Sequence, residues 1–470
     1  MEQHPFVISE TDIVKEEQIL LTSPKNPSPM RTIFLSNIDQ TVAFPVETIY
    51  FYQASSDSNM AERIKNALSR VLLIPYYFMA GRLHMCPKTH RLELLCNNAG
   101  IHMVSASSKL ALNDLGNVSL PNPSFQHLLL RTGGFKCFTE TPLLTIQVIY
   151  MAVLLVTRFG CGAFSVGFAT NHSILDGKSA FDFFHNLASV CRGEGLKSTL
   201  VLNNDRTCFK ARDPPQITYP HKEYMNNTIN DTQNQYYSAT TSSSSFTCSN
   251  QPFLSQISLL KLKQNKSYKL FHFTPAMIQN LKQKAATECS TFEAIVAHIW
   301  KVRTRAVFED YPSETLSNVL FAVDIRSKTS PMIPHGFIGN AVITACASAK
   351  VLDLDEKSFC FCVERVKEAI GSITDDYVRS AIDWLEVHKG LPATCDGNFY
   401  VSAWWRLPFY ELDLGFGNPI YGGPVVSGMD EFVLLLSDGK NVKSAGGGIN
   451  VWIVLEKKKM ERFMTHVFQI

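Results

Sequence analysis

The chain has 470 residues, a length at which one hydrophobic core stops growing, so two domains are expected. Hydrophobic residues make up 45% and charged residues 18% of the chain, and the formal net charge is +2. This balance is that of an ordinary globular protein, and it gives no sign of a nucleic-acid or membrane-surface partner. A local basic opening for a phosphorylated ligand is compatible with it.

The twelve cysteines are scattered without paired CxxC modules, which indicates a reducing compartment rather than a disulfide framework. Cys360 and Cys362 form a lone CxC, which is too little to predict a metal site. The first residues lack the basic-then-apolar pattern of a signal peptide, and the apolar run at 148–156 is far shorter than the ~20 residues of a spanning helix. We therefore expect a cytoplasmic protein without a membrane span.

Strands and helices alternate along the first two hundred residues. An apolar face along 60–72 predicts a helix that begins at Asn59. A second helix, with Ser179 and Asp182 as its capping box, follows the segment that contains His172. His172 is thus expected in a connection between a strand and a helix, where catalytic groups concentrate. Strand patterns occur at 46–53, 81–85, 92–96 and 164–169.

The composition changes near residue 205. Residues 226–250 are rich in asparagine, threonine and serine, and such a segment has too little apolar surface to offset its ordering entropy. We predict an exposed crossover linker at 205–255, which separates an N-terminal domain at 1–204 from a C-terminal domain at 256–470.

The C-terminal half repeats the alternation of strands and helices. Helix starts are indicated by Thr274 followed by Pro275, and by Ser290 with Glu293 as a capping box. Further helices are expected near 361–373 and at 458–467, and strands at 268–273, 319–325, 341–347, 399–404, 431–436 and 449–455. The pattern predicts two α/β domains of similar size.

His172 and Asp176 form an HxxxD pattern that is followed by Gly177. Imidazole is the natural general base near neutral pH. A zinc site is one alternative, but no third ligand follows at a suitable spacing, so no metal is expected. A catalytic triad is another, but neither a GxSxG elbow nor a cysteine-protease signature accompanies the pair. The pattern favours a base without an enzymic nucleophile, and a purely structural histidine is the remaining alternative.

The segment TNHSILDGKSAFDFF, at 170–184, resembles the HxxxDG signature of the plant BAHD acyltransferases. Asp413-Leu-Gly415-Phe416-Gly417 is similar to the second signature of that family, DFGWG. Four blocks that look like family segments lie in family order at 76–83 (YYFMAGRL), 291–306 (TFEAIVAHIWKVRTRA), 322–328 (AVDIRSK) and 336–342 (GFIGNAV). The likeness covers nearly the whole chain.

The resemblance implies two chloramphenicol-acetyltransferase-like α/β domains, joined by a crossover, with a substrate channel between them. It also implies that His172 deprotonates an alcohol or amine acceptor, which attacks the thioester of acyl-CoA without a covalent acyl-enzyme. Acyl-CoA is then a donor substrate rather than a permanently bound cofactor. A monomer is the expected state.

The family likeness assigns the other signature residues structural roles. Asp176 is expected to point away from the substrate and to hold its loop by a salt bridge, with Arg326 as a partner for either Asp176 or Asp413. Gly177 is expected to permit a backbone geometry that a Cβ would obstruct. Gly415 and Gly417 belong to the structural second signature.

Two departures from the family pattern stand out. Leu414 replaces phenylalanine and Phe416 replaces tryptophan, so any indole N–H that served the oxyanion would be lost, at a cost of ~10²–10³ in rate. The apolar run 148–155 looks like an insert in the strand that approaches His172. We hypothesise that this run derives from a retained intron or an error in gene structure, which sequencing of the transcript would test.

The likeness is nearest to transferases that move hydroxycinnamoyl groups from CoA to fatty alcohols or ω-hydroxy acids, as the blocks at 34–40 (FLSNIDQ) and 48–52 (TIYFY) suggest. The family's anthocyanin-acylating branch carries a YFGNC block, and here the equivalent at 337–341 reads FIGNA, ending in Ala341, which disfavours anthocyanin malonylation. Arg406 is either a contact for an acceptor carboxylate or a structural residue.

Three functions compete. The first is an acyl-CoA-dependent acyltransferase that acts on an alcohol or amine. The second is a catalytically weakened BAHD homologue that binds acyl-CoA or a protein partner, as the altered second signature would allow. The third is a condensation-type domain that uses a carrier-bound thioester, which the absence of a carrier domain in the chain disfavours.

Overall fold

The structure is a computed structural model that describes residues 6–24, 31–53, 59–132, 139–151, 162–224, 266–309, 311–389, 398–425, 431–439 and 447–470. Within these ranges, nine strands belong to the N-terminal half: β1 (Ile13–Lys15), β2 (Ile19–Leu21), β3 (Arg31–Phe34), β4 (Pro45–Tyr52), β5 (Arg82–Met85), β6 (Leu92–Cys96), β7 (Ile101–Ser108), β8 (Leu144–Tyr150) and β9 (Phe164–Asn171). Seven follow in the C-terminal half: β10 (Lys266–Phe273), β11 (Leu316–Asp324), β12 (Val342–Lys350), β13 (Asn398–Ala403), β14 (Tyr421–Pro424), β15 (Phe432–Ser437) and β16 (Ile449–Glu456).

The α-helices in these ranges are α1 (Asn37–Gln40), α2 (Met60–Asn66), α3 (Gly177–Cys191), α4 (Pro275–Lys284), α5 (Thr291–Val307), α6 (Val351–Glu356), α7 (Phe359–Gly371), α8 (Asp375–Val387) and α9 (Lys457–His466). A π-helical turn, Ala67–Leu72, extends α2. None of the helices in the described ranges has the length and apolar content needed to cross a bilayer.

The first sheet has the strand order β1-β7-β8-β9-β4-β14, and β2 also pairs with β7. A smaller sheet has the order β3-β6-β5. The main sheet packs against α3, where the rings of Phe168 and Phe184 lie 4.7 Å apart between centroids. Its last strand, β14, comes from the C-terminal half and pairs antiparallel with β4, with Tyr421 opposite Phe51. The C-terminal half therefore completes the first sheet.

The second sheet has the order β10-β16-β15-β13-β11-β12 and consists of C-terminal strands. Helix α5 packs on it because its apolar residues recur at helical spacing, and Ile295, Ile299 and Trp300 are all fully buried. Ser290 and Glu293 cap this helix reciprocally, at 3.2 Å from the Glu293 N–H to the Ser290 hydroxyl and 2.8 Å for the return bond. The mixed α/β architecture expected from the sequence is confirmed.

The predicted strands and helices agree with the structure to within a few residues, with two differences. The residue that caps α3 is Asp176 rather than Ser179, because the Asp176 carboxylate accepts from the Ser179 N–H at 2.9 Å. Asp182 instead pairs with Lys178 on the exposed face, at 2.9 Å. Helices α1, α6 and α8 and strands β1, β2, β3, β7 and β14 were not predicted.

The described part of the predicted crossover, 205–224, differs from the exposed linker that its composition suggested. His221 and Glu223 are buried at 1% and 2% exposure, against α8. The Nε2 of His221 lies 2.8 Å from the Ser380 hydroxyl, and its Nδ1 lies 2.9 Å from Glu223. This segment is therefore packed rather than solvated. Residues 225–255, which include the whole low-complexity stretch at 226–250, lie outside the described residues, and the domain boundaries stay predictions.

The apolar run 148–155 lies partly inside the described residues. Its first three residues continue β8 in register with β9, so that Val148 faces Val166 and Tyr150 faces Phe164. Residues 152–155 lie outside the described residues. The start of the run is therefore paired strand, and the hypothesis about its origin stays a prediction.

Candidate active site

His172 follows directly after β9, the strand that lies between β8 and β4 in the first sheet. Its backbone N–H donates to the carbonyl of Phe44 at 2.8 Å, which ties the residue to the segment before β4. The Phe44 ring lies 5.5 Å from the imidazole between centroids. Burial lowers the pKa of His172 below its ordinary value of 6.5, and the nearby charge of Asp176 raises this pKa only in part. His172 is therefore neutral, and able to accept a proton, at pH 7.

The carboxylate of Asp176 is directed toward the C-terminal half. Arg326 contacts its two oxygens at 2.8 and 3.0 Å, and the Ala341 N–H donates to it at 3.0 Å. Together with the bond from the Ser179 N–H, these contacts occupy both oxygens, and Asp176 is 1% exposed. The Arg326 ion pair is thus with Asp176, one of the two partners considered from the sequence.

Gly177 is constrained by space rather than by backbone conformation. A Cβ at this position would lie 3.2 Å from the Leu407 side chain, and its φ is outside the left-handed region. Leu407 belongs to the segment that carries the chain from β13 toward the second signature. The glycine therefore permits a close approach between the start of α3 and the C-terminal half.

Asn340 brings a polar network to His172 that the sequence analysis did not identify. Its side-chain Nδ2 donates to the backbone carbonyl of His172 at 2.8 Å and to the carboxylate of Asp39 at 2.7 Å. Asp39 is itself fully buried and lies 3.5 Å from the Nε of Arg206, which is also buried. Asp39 and Asn340 both lie within family-like blocks, but nothing in either block alone indicates that they meet.

The second signature forms a turn built around the Asp413 carboxylate. One of its oxygens accepts from the N–H groups of Gly415, Phe416 and Gly417 at 2.8, 3.0 and 2.9 Å. Gly415 and Gly417 have φ of +101° and +85°, which L-residues with a side chain rarely adopt. The Asp413 backbone carbonyl accepts from the Arg192 guanidinium at 2.6 Å. The motif is thus a self-contained structural turn docked on the end of α3.

Phe416 lies at the opposite end of β9 from His172. Its ring packs on that of Phe164, the first residue of β9, at 5.7 Å between centroids, and under the Arg63 guanidinium at 4.7 Å. Since β9 has eight residues and His172 follows its end, the strand separates the two sites by about 24 Å. An aromatic side chain at 416 therefore does not reach an oxyanion beside His172, and the substitution of tryptophan does not remove an oxyanion donor.

Arg406 is exposed, and its guanidinium lies 5.9 Å from the Trp405 ring. A crevice of about 520 Å³ opens elsewhere, and Tyr410, Tyr421 and Asp438 are among its lining residues. His172, Asp176 and Arg326 do not line it. In the ranges that the structure covers, no group of three or more histidine, cysteine or acidic side chains is placed to hold a metal ion.

Known proteins resemble this chain in sequence over its whole length. Acyltransferase GLAUCE of Arabidopsis thaliana is 32% identical over 100% of this chain and 98% of its own. The Omega-hydroxypalmitate O-feruloyl transferase of the same plant is 32% identical over 97% of this chain and 93% of its own. Its Fatty alcohol:caffeoyl-CoA acyltransferase is 30% identical over 96% of this chain and 97% of its own. The predicted likeness to hydroxycinnamoyl and fatty alcohol transferases is confirmed.

Solved structures share the fold. Vinorine synthase superposes with a TM-score of 0.70 at 20% identity, over 97% of this chain and 98% of its own. This likeness confirms the predicted fold class. A profile of the Transferase family matches residues 13–469. Because this match and the relatives at 30–32% identity both span nearly the full length, the chain belongs to the Transferase family of BAHD acyltransferases and is an acyltransferase.

Proposed function

We propose that this enzyme transfers a hydroxycinnamoyl group from CoA to the hydroxyl of a long-chain alcohol or ω-hydroxy acid, with His172 as the general base. Family membership supports the thioester donor. The names of two relatives support the rest, since one transfers a feruloyl group to ω-hydroxypalmitate and the other uses caffeoyl-CoA and a fatty alcohol.

The observation that supports His172 as the base is that both carboxylate oxygens of Asp176 are already hydrogen-bonded to other groups. Its carboxylate is bound by Arg326, by the Ser179 N–H and by the Ala341 N–H, so it is not the partner of the imidazole. A serine-histidine-aspartate triad made with this carboxylate is therefore excluded. A histidine whose pKa is lowered, and that lacks this partner, suits a base that acts directly on the substrate hydroxyl.

The proposed reaction has two proton transfers, one from the acceptor to His172 and one from His172 to the leaving group. Nε2 of His172 removes the proton from the acceptor hydroxyl as its oxygen forms a bond to the thioester carbonyl carbon. The resulting tetrahedral oxyanion collapses, the carbon–sulfur bond breaks, and the electron pair leaves on the CoA sulfur. The imidazolium then returns the proton to this thiolate, so His172 is neutral again without a covalent acyl-enzyme.

The test is CoA release by the purified enzyme with feruloyl-CoA or caffeoyl-CoA, and with 16-hydroxypalmitate or hexadecanol as acceptor. We expect turnover by the wild type and a loss of about 10²–10⁴ in kcat for His172→Gln, the usual worth of a positioned base. His185→Gln is the matched control, because His185 is an exposed histidine on α3.

Equal turnover by wild type and His172→Gln would refute the assignment of the base. Binding of acyl-CoA without turnover, across a panel of alcohols and amines, would instead favour the weakened homologue. Turnover with an amine but no alcohol would correct the acceptor class and leave the base in place.

A further inference from the structure

Two buried polar atoms beside the catalytic position have no hydrogen-bond partner among the described residues. They are the Nδ1 of His172 and the side-chain oxygen of Asn340. Burial lowers the pKa of the His172 side chain, and hydrogen bonding to the backbone of His172 itself and to the Asn340 amide raises this pKa against the larger effect of burial. A ring nitrogen that carries a proton and an amide oxygen that lacks a donor are complementary.

Asn340 has a defined orientation because both hydrogens of its Nδ2 are in use. One is donated to the His172 carbonyl at 2.8 Å and the other to Asp39 at 2.7 Å. Both partners are acceptors, so the reversed amide would place its oxygen against two oxygens. Asn340 therefore has its oxygen, and not its NH₂ group, free for the imidazole.

Asp39 is held as an acceptor by its own surroundings. The oxygen that does not contact Asn340 accepts from the Ser36 N–H at 2.8 Å and from the Ser36 hydroxyl at 2.7 Å. The same oxygen lies 3.5 Å from the Arg206 Nε, and the Asp39 and Arg206 side chains are fully buried. Three donors thus surround one oxygen of the Asp39 carboxylate, and the other oxygen is left to accept from Asn340.

We propose that Asp39 is a positioning residue that sets the tautomer of His172 through the Asn340 amide. With the amide oxygen facing the ring, His172 carries its proton on Nδ1 and presents the lone pair of Nε2 to the substrate. The inference rests on the proposed role of His172 as the base.

The substitution Asp39→Asn makes a specific prediction. The new amide keeps its oxygen toward Ser36 and Arg206, where the donors are, and turns its NH₂ group toward Asn340. Asn340 then reverses, so that its oxygen accepts from the amide of residue 39. The reversal gives up the bond to the His172 carbonyl and brings the NH₂ group of Asn340 to Nδ1 of His172. The imidazole is forced into the tautomer with the proton on Nε2, which is unable to act as the base.

The readout that needs no substrate is the carbethoxylation rate of His172 by diethyl pyrocarbonate, followed by peptide mass spectrometry. At pH 8 the imidazole is neutral in every variant, so the rate reports the free Nε2 lone pair and not the charge of residue 39. We expect Asp39→Asn to slow the reaction at His172 by about 10- to 100-fold. The rate at His185, the exposed histidine on α3, is expected to stay unchanged.

A second substitution separates positioning from mere stability. Asn340→Ala removes the side-chain amide, so no NH₂ group is left to face Nδ1 of His172. We expect the double variant Asp39→Asn/Asn340→Ala to react faster at His172, and to have a higher kcat, than Asp39→Asn alone. Asp383→Asn is the matched control, because Asp383 is also a buried carboxylate paired with an arginine, Arg212, but it contacts the crossover instead.

The proposal would be overturned if the losses of carbethoxylation rate and kcat from the two single substitutions simply added in the double variant. An unchanged carbethoxylation rate at His172 in Asp39→Asn would also overturn it. Restored carbethoxylation in the double variant, with no acyl transfer by the wild type to any alcohol, would sustain the positioning role and refute the proposed function. Acyl transfer by the wild type, together with additive losses of reactivity and kcat in the double variant, would support the proposed function and refute the positioning role.

Discussion

The guanidinium of Arg326 contacts both carboxylate oxygens of Asp176, at 2.8 and 3.0 Å, across the junction of the two halves of the chain. Asp176 caps α3, directly after the loop of His172, and Arg326 follows β11 of the second sheet. The ion pair therefore connects the loop of His172 to the other half. Its carboxylate is 1% exposed and its guanidinium 18% exposed.

Asp176→Ala removes the buried partner of Arg326, which keeps only the exposed carboxylate of Asp324, at 3.2 Å. It also leaves the N–H groups of Ser179 and Ala341 without their acceptor. We expect the free energy of unfolding to fall by about 3–5 kcal/mol, and activity to fall with it, because a buried ion pair and two buried hydrogen bonds are lost together. Denaturant unfolding measures the first effect, and CoA release measures the second. Lys178→Ala, which breaks only the exposed pair with Asp182, is the control and should cost under about 0.5 kcal/mol. A stable but inactive Asp176→Ala enzyme would show a direct catalytic role.

The pH dependence of kcat/KM follows from the burial of His172. Protonated imidazole is inactive as a base, so activity is present above the pKa of the group and is lost as the pH falls through it. Because burial lowers this pKa, we expect the midpoint of the acid limb below 6.5, with activity retained at pH 6.5. A kcat/KM profile between pH 5 and 8 measures it. A midpoint above 6.5 would mean that charge, and not burial, dominates at the imidazole.

Phe416→Trp restores the aromatic residue that the second signature of the family carries. The ring lies about 24 Å from His172 along β9, so we expect kcat to change by less than about twofold. A rise of tenfold or more would place residue 416 at the reaction. Asp413→Ala is the informative companion, since it removes the acceptor of three backbone N–H groups and should lower stability by about 1–3 kcal/mol.

Ser380→Ala tests whether the crossover is docked on α8. The Ser380 hydroxyl accepts from the N–H groups of Thr218 and Tyr219 at 2.9 and 3.2 Å, and it lies 2.8 Å from Nε2 of His221. Its loss leaves the buried His221 ring and two part-buried N–H groups without this partner, so the free energy of unfolding should fall by about 1–3 kcal/mol. Denaturant unfolding measures it, with the exposed Ser198→Ala as control. An unchanged midpoint would mean that water replaces the hydroxyl and that the segment is loosely attached.

Local patterns predicted much of this molecule because the forces that they report act over a few residues. The capping box of Ser290 and Glu293 and the strand before His172 depend on neighbours in sequence, and both are as expected. At the start of α3 two local patterns competed, with Asp176 or Ser179 as the capping residue. Asp176 caps the helix, and the Ser179 hydroxyl donates instead to the Gly339 carbonyl of the C-terminal half, at 3.1 Å. The pairing of Arg326 came from the family likeness rather than from the residues themselves.

The rest of the site depends on contacts between distant parts of the chain. Asn340 and Asp39 are 301 positions apart, so no periodicity or spacing in the sequence brings them together. Likewise, the composition of the crossover did not indicate that His221 and Glu223 would be buried beside Ser380, which lies 159 positions from His221. Tertiary packing determines both.

Strand β14 belongs to the C-terminal half but completes the first sheet, and this pairing has a consequence for expressing the protein as fragments. A fragment that ends before Tyr421 would leave the outer edge of β4 without its hydrogen-bonding partner, with Phe51 on that strand. An unpaired, apolar edge invites self-association, so such a fragment should aggregate when expressed alone. Co-expression of the two fragments should prevent this aggregation, because the C-terminal fragment supplies β14. An enzyme divided within its crossover should therefore assemble only when both fragments are present.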